Sequence, residues 1–178
     1  GSIGLDTKSP SVVFNGGFDK LNMPHLKAMW PPFLAGGARR WVFENMSLGT
    51  VRNAVFEAAI PPGILGQIRF GKNIQPQLLY ISVDVEDTQI AGFEDIPRLR
   101  SVSGRVNHFG MTTDIQIGEG LFWLGDGEQI HLDGSAVQIA DFSKAPLSIV
   151  SEIKLSGDAE AVANLASGDP IRAFDGRP

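Results

Sequence analysis

The chain has 178 residues, with 15 Lys and Arg against 20 Asp and Glu, a formal net charge of -5, and no cysteine. That length fits one domain able to bury a sizeable core, and the missing cysteine excludes disulfides, thiolate metal sites and a Cys nucleophile. The acidic balance disfavours broad nucleic-acid binding, which needs clustered cations, and sets that partner class aside.

The 21 glycines, where about 12 would be average, suggest many short elements joined by tight turns. No run reaches the roughly 18 apolar residues of a membrane span, and no signal peptide opens the chain. Gly1-Ser2 reads as the remnant of a cleaved tag. The expected organisation is a flexible lead over 1–10, a single α+β domain over 11–168 and a truncated tail over 169–178, all excerpted from a longer protein.

The first element is a short extended run over 11–14, closed by Asn15-Gly16-Gly17. A helix follows, with Asn22 as N-cap, Pro24 in the first turn and Leu26, Met29 and Trp30 at helical spacing. Pro31-Pro32 ends it. A second helix is predicted over 38–46, with Ala38, Trp41, Val42 and Asn45 on its apolar face and Arg39, Arg40 and Phe43 on the other. Together they predict a helical hairpin with two Trp residues in its core.

From Gly49 the period changes to two. A strand over 50–60 stops at Pro61-Pro62-Gly63. Residues 77–86 alternate, with Leu79, Ile81, Val83 and Val85 facing one way and Tyr80, Ser82, Asp84 and Glu86 the other. Val102, Gly104 and Val106 lead through His108-Phe109-Gly110 into Thr113, Ile115 and Ile117, a hairpin. A second hairpin joins 121–124 to 129–132 through Gly125-Asp126-Gly127. Strands over 136–139 and 147–155 and a helix over 159–165, capped by Asp158, complete the reading. The expected fold is α+β: a helical hairpin followed by a curved, mostly antiparallel sheet of about seven or eight strands. A loose repeat, in which Gly49, Gly104 and Gly134 each open a strand, is consistent with an elongated sheet.

Catalytic chemistry finds little footing. There is no Gly-x-Ser-x-Gly elbow, and His25, His108 and His131 stand apart, His131 on the solvent side of its strand. Asp126-Gly127-Glu128…Asp133 lacks the fifth and sixth ligand-loop positions of a calcium site, where Ile130 and His131 stand. Asp84, Glu86, Asp87, Glu94 and Asp95 form a run of five acids without a base, read as a solvated strand end and loop before a cation site or a hydrolase. Gly71-Lys72-Asn73 is not a phosphate loop, and Asn45-Met46-Ser47 is a glycosylation triplet of the kind chance supplies. Neither cofactor nor metal nor catalytic residue is expected. Five cations between Lys20 and Arg52 face one acid, Glu44, so the hairpin, through Arg39 and Arg40, could touch an anionic headgroup or an acidic partner.

The stretch Asp19-Lys20-Leu21…Met29-Trp30-Pro31-Pro32-Phe33-Leu34…Ala38-Arg39-Arg40-Trp41-Val42…Asn45-Met46-Ser47-Leu48-Gly49-Thr50-Val51 resembles the AsmA-like periplasmic proteins of Gram-negative bacteria, specifically the YhdP-type branch. Phe56…Ile60-Pro61, Ile96-Pro97-Arg98-Leu99, Val102-Ser103-Gly104 and Leu155-Ser156-Gly157-Asp158-Ala159 agree in style. The resemblance implies a segment of a bridge-like lipid-transfer protein, anchored in the inner membrane and reaching across the periplasm. Its long, curved sheet would shield phospholipid acyl chains in an apolar trough, with neighbouring segments of the same chain as partners. The expected lipid-facing residues are Leu79, Ile81, Val83, Val102, Val106, Ile115 and Ile117. The same row could equally be closed core, since burial against protein or acyl chain is physically similar. The competing reading is a structural module of an envelope-assembly protein, docking partners through sheet edges and the basic hairpin.

Overall fold

The computed structural model describes residues 10–64, 74–92, 97–125, 128–140 and 148–167. Its strands are β1 (Val12–Asn22), β2 (Thr50–Ile60), β3 (Leu79–Ile90), β4 (Leu99–Phe109), β5 (Thr112–Gly125), β6 (Glu128–Ala140), β7 (Ser148–Glu152) and β8 (Leu155–Ser156). They form one open antiparallel sheet in the order β1-β2-β3-β4-β5-β6-β7, with β8 also pairing β6. Helices α1 (Met23–Met29) and α2 (Gly36–Asn45) lie between β1 and β2, and α3 (Ala159–Ser167) follows β8. The α+β class and the strand number expected from the sequence are what the chain adopts.

Among the described residues, the three helices pack on one face of the sheet. Met23 and Leu26 of α1 and Val42 of α2 join Met46, Val51, Ala54, Val83, Val85 and Ile90 in one core. Helix α3 brings Ala161, Val162 and Leu165 down on Phe122, Ile130 and Leu132. A third core gathers Ala58, Ile60, Ile74 and Leu79 beneath Leu34, Ala35 and Leu78. The opposite face carries polar pairs, Arg52 with Glu86, Ser82 donating to Asn107 at 2.7 Å and Gln138 to Asp114 at 2.6 Å, with exposed Val13, Val55, Phe109 and Trp123 set among them. A sheet covered on one side only reads as apolar-in and polar-out.

The alternation is not strict, and the departures fall into line. The inward positions step by three residues once in each of β2 to β6: Val51 to Ala54, Val85 to Thr88, Leu99 to Val102, Ile117 to Gly120 and Leu132 to Ser135. In four of the five, the residue just before the pattern resumes has a left-handed φ: Asn53 48°, Asp87 47°, Ser101 48° and Gly134 66°. In β2, β3, β4 and β5 the step is a bulge against a neighbouring strand, which shifts the side-chain phase, bends the strand and increases its twist, whereas β6 steps together with β5 without a shift between them.

Several local expectations hold. Asn22 accepts from His25 N at 3.0 Å with Pro in the first turn, Asp158 accepts from Glu160 N and Ala161 N, and β2 ends at Pro61. The hairpin joining β4 and β5 turns at Gly110, φ 61°. Gly49 is required where the hairpin rejoins the sheet: its φ is 115°, and a Cβ would lie 2.7 Å from Thr88 Cα.

Other expectations are corrected. Asn15-Gly16-Gly17 does not close the first strand, which runs on to Asn22 because the whole stretch pairs with β2. Residues 113–124 are one strand and 129–139 another, since pairing continues across Gly118 and Gly134. Nor do residues 148–155 form one strand, since β7 ends at Glu152 and β8 begins at Leu155; Leu147 lies outside the described residues. Gly104 and Gly134 lie inside strands; a Cβ on Gly104 would come within 2.2 Å of the Gln116 carbonyl. The hairpin does not hold two tryptophans in its core. Trp30 is half-buried and donates from Nε1 to Leu34 O at 2.8 Å, while Trp41 is 49% exposed. The face of α2 that meets the protein carries Arg39, Val42 and Phe43, and Ala38 is exposed, because α1 lies beside Phe43 and receives its contacts.

Candidate functional site

Between the three cores the inward face carries a band of apolar side chains, of which only Val83 also packs against one of them. Cross-strand pairing aligns them in rows. One runs Phe56, Ile81, His108, Thr113, Ile139 and Ile149 across β2 to β7, and the next runs Val83, Val106, Ile115 and Val137. Phe14 on β1 stacks on Phe56, centroids 5.6 Å apart. Most members are half-buried. At the two ends the band opens further, Phe14 being 51% and Ile149 57% exposed. Seven strands at about 4.8 Å spacing make the band about 29 Å wide, close to the roughly 30 Å of a bilayer's hydrocarbon core.

The seven residues expected to face lipid divide between these environments. Leu79 and Val102 are sealed, at 4% and 3% exposure. Val83 packs against the hairpin core and Ile117 against the core under α3. Ile81, Val106 and Ile115 lie in the open band. Sequence reading did not single out Phe14, Phe56, Val137, Ile139 or Ile149. The signal that unites them is register across strands, which period alone does not carry.

One polar pair interrupts the band, His108 Nδ1 lying 2.8 Å from Thr113 Oγ1. His131 is exposed, on the opposite side of β6 from Ile130 and Leu132, and His25 bonds Asn22. No group of three or more metal-ligating side chains occurs among the described residues.

Two of the acids, Asp84 and Glu86, pair with cations from neighbouring strands. Arg105 forks onto Asp84 through Nε to Oδ1 at 2.6 Å and Nη2 to Oδ2 at 2.9 Å, and Asn53 adds a bond at 2.8 Å. The Arg105 guanidinium first, and then the Asn53 amide, hold the Asp84 carboxyl below its ordinary pKa, outweighing a small opposing effect of burial. Asp84 in turn raises Arg105. Glu86 belongs to Arg52. Glu94, Asp95, Gly71-Lys72-Asn73 and the Asp126-Gly127 turn lie outside the described residues.

The hairpin cations are largely internal. Lys27 Nζ donates to Phe43 O at 3.0 Å and to Met46 O, satisfying carbonyls that the end of α2 leaves free. Arg39 lies over the Phe43 ring, 4.1 Å from its centroid, and donates to Trp30 O at 3.2 Å. Arg40 is exposed.

Comparison with protein-family models, with curated proteins and with solved structures finds no match to this chain. Among the described residues, no helix is long and apolar enough to cross a membrane.

Proposed function

We propose that this chain is a non-enzymatic, lipid-carrying segment of a periplasmic envelope protein, and that the apolar band holds phospholipid acyl chains. One observation carries the reading: apolar side chains outside all three cores run from Phe14 on β1 to Ile149 on β7, half-buried over β2 to β6 and open at the two ends. An acyl chain laid on the band would remove Ile81, Val106, Ile115, Val137 and Ile139 from water together, each contributing in proportion to the apolar area covered. The envelope assignment rests on the resemblance between Trp30 and Val51.

Native mass spectrometry of the purified chain, followed by solvent extraction, tests this. The expected result is phospholipid at near-stoichiometric levels, lost in Ile115→Asp while the melting curve stays close to that of the unmodified chain. A lipid-free mass, or lipid retained by Ile115→Asp, overturns the reading.

A further inference from the structure

Sheet edges expose unpaired N–H and C=O groups, and proteins that stay apart usually blunt them with lysines, prolines, bulges or a covering element. The two edges here are unlike. The edge strand β1 carries Asp19 and Lys20 and the Gly16-Gly17 pair. The other edge strand, β7, is Ser148-Ile149-Val150-Ser151-Glu152, with all five residues exposed. It has no proline, glycine or lysine, and its one charge, Glu152, pairs with Lys154 at 3.3 Å. It is also apolar on both faces: Ile149, opposite Ile139, is 57% exposed, and Val150, opposite Gln138, is 64% exposed.

The strand is held firmly for its length. Five consecutive residues pair with β6. Just beyond, Lys154 N donates to the buried Ser135 hydroxyl at 2.8 Å, and Asp133 N donates to Lys154 O at 3.1 Å. The backbone groups on its outer side are thus fixed in an extended line, which lowers the ordering cost of adding another strand. Among the described residues no strand pairs with that side.

We propose that β7 pairs with β7 of a second copy of this chain, antiparallel about Val150. The sequence suits that arrangement. A two-fold axis through Val150 sets Val150 against Val150, Ile149 against Ser151 and Ser148 against Glu152. The two carboxylates therefore fall at opposite ends of the ladder, each facing a serine hydroxyl, with no like-charge contact. The small apolar pair at the axis is β-branched, as cross-strand contacts favour. A second copy joined here extends the sheet and brings the two Ile149 side chains onto one continuous face. Five residue pairs make a small interface, so the dimer is of the weak, concentration-dependent class. This inference does not depend on whether the band holds lipid.

Sedimentation velocity on the whole chain tests it, using the unmodified protein, Val150→Lys and Val150→Glu, with melting curves to confirm folding. The unmodified chain should move from one towards two chain masses as concentration rises through about 10–100 μM, the range of a weak interface. Each variant alone should stay monomeric, because residue 150 meets its own symmetry mate as a like charge. An equimolar mixture of the two should recover the dimer, Lys against Glu. An unmodified chain that is monomeric throughout overturns the proposal, as do variants that dimerise unchanged or a mixture that does not recover.

Discussion

The inward face of this sheet is finished in two ways. Under the helices, Val51, Ile130 and Leu132 are sealed at 1%, 0% and 3% exposure. Between them Ile81, Val106 and Ile115 stand on the same face, in the intervening strands β3, β4 and β5, and remain half-open. The residue types match and so does the alternation. The difference lies in what the neighbouring segments cover, so an apolar strand row reports which side is inward and not whether that side is closed.

The sharpest way to break the comparison is to place a charge in each region. Ile130→Asp should abolish the cooperative melt, because an unpaired carboxylate would be buried in a filled core. Ile130→Ala should cost about 3 kcal/mol by urea denaturation. In the band, Ile115→Ala should cost about 1 kcal/mol or less, since its side chain is only partly withdrawn from water. Equal losses at the two sites would show that the band is closed core.

The polar face sharpens the contrast through pH. Asp84 has a lowered pKa in the folded chain, so its contribution is present above the unfolded value of about 3.9 and is lost as pH falls through the folded value. Asp84→Asn should flatten the fall in stability below about pH 4, measured by thermal midpoints across acidic buffers. An unchanged acid limb would assign acid sensitivity to other carboxylates.

The smallest expected effect tests the bulges. Ser101 is exposed with φ 48°. Replacing it with glycine removes the left-handed strain at the cost of a more flexible unfolded chain. Ser101→Gly should therefore be neutral to stabilising, by up to about 1 kcal/mol, while Ser101→Val should lose at least that much.

Much of the fold was legible because its punctuation is local. Asn22, Pro24, Pro61 and Asp158 act on their own backbone neighbours, and Leu79 to Val85 alternate without interruption. The bulges were hidden because Asn53, Asp87 and Ser101 resemble any polar residue on a strand's outer side. Trp41 was misplaced because its helix turns toward α1 through Arg39 and Phe43, a contact made across the hairpin. The acid run gave no sign of its partners because Arg105 lies 21 residues beyond Asp84. Of the candidate site, Ile81, Val106 and Ile115 were readable one by one; the rows that join them to Phe14 and Ile149 needed the register of the neighbouring strands.

The line of bulges has a consequence for how such a chain can change in length. Each strand from β2 to β6 is written in two phases that meet at a single residue. Removing Asn53 would let Val51, Arg52 and Ala54 alternate directly and pair β2 evenly with β3, where three residues of β2 now lie against two, but it would put Ala54, Phe56, Ala58 and Ile60 one residue out of register with β1, where the pairing is even. That neighbour could restore agreement only by dropping a residue of its own. Length in this sheet is therefore a shared property of adjacent strands, and single-residue insertions or deletions are tolerated at its turns and not along that line.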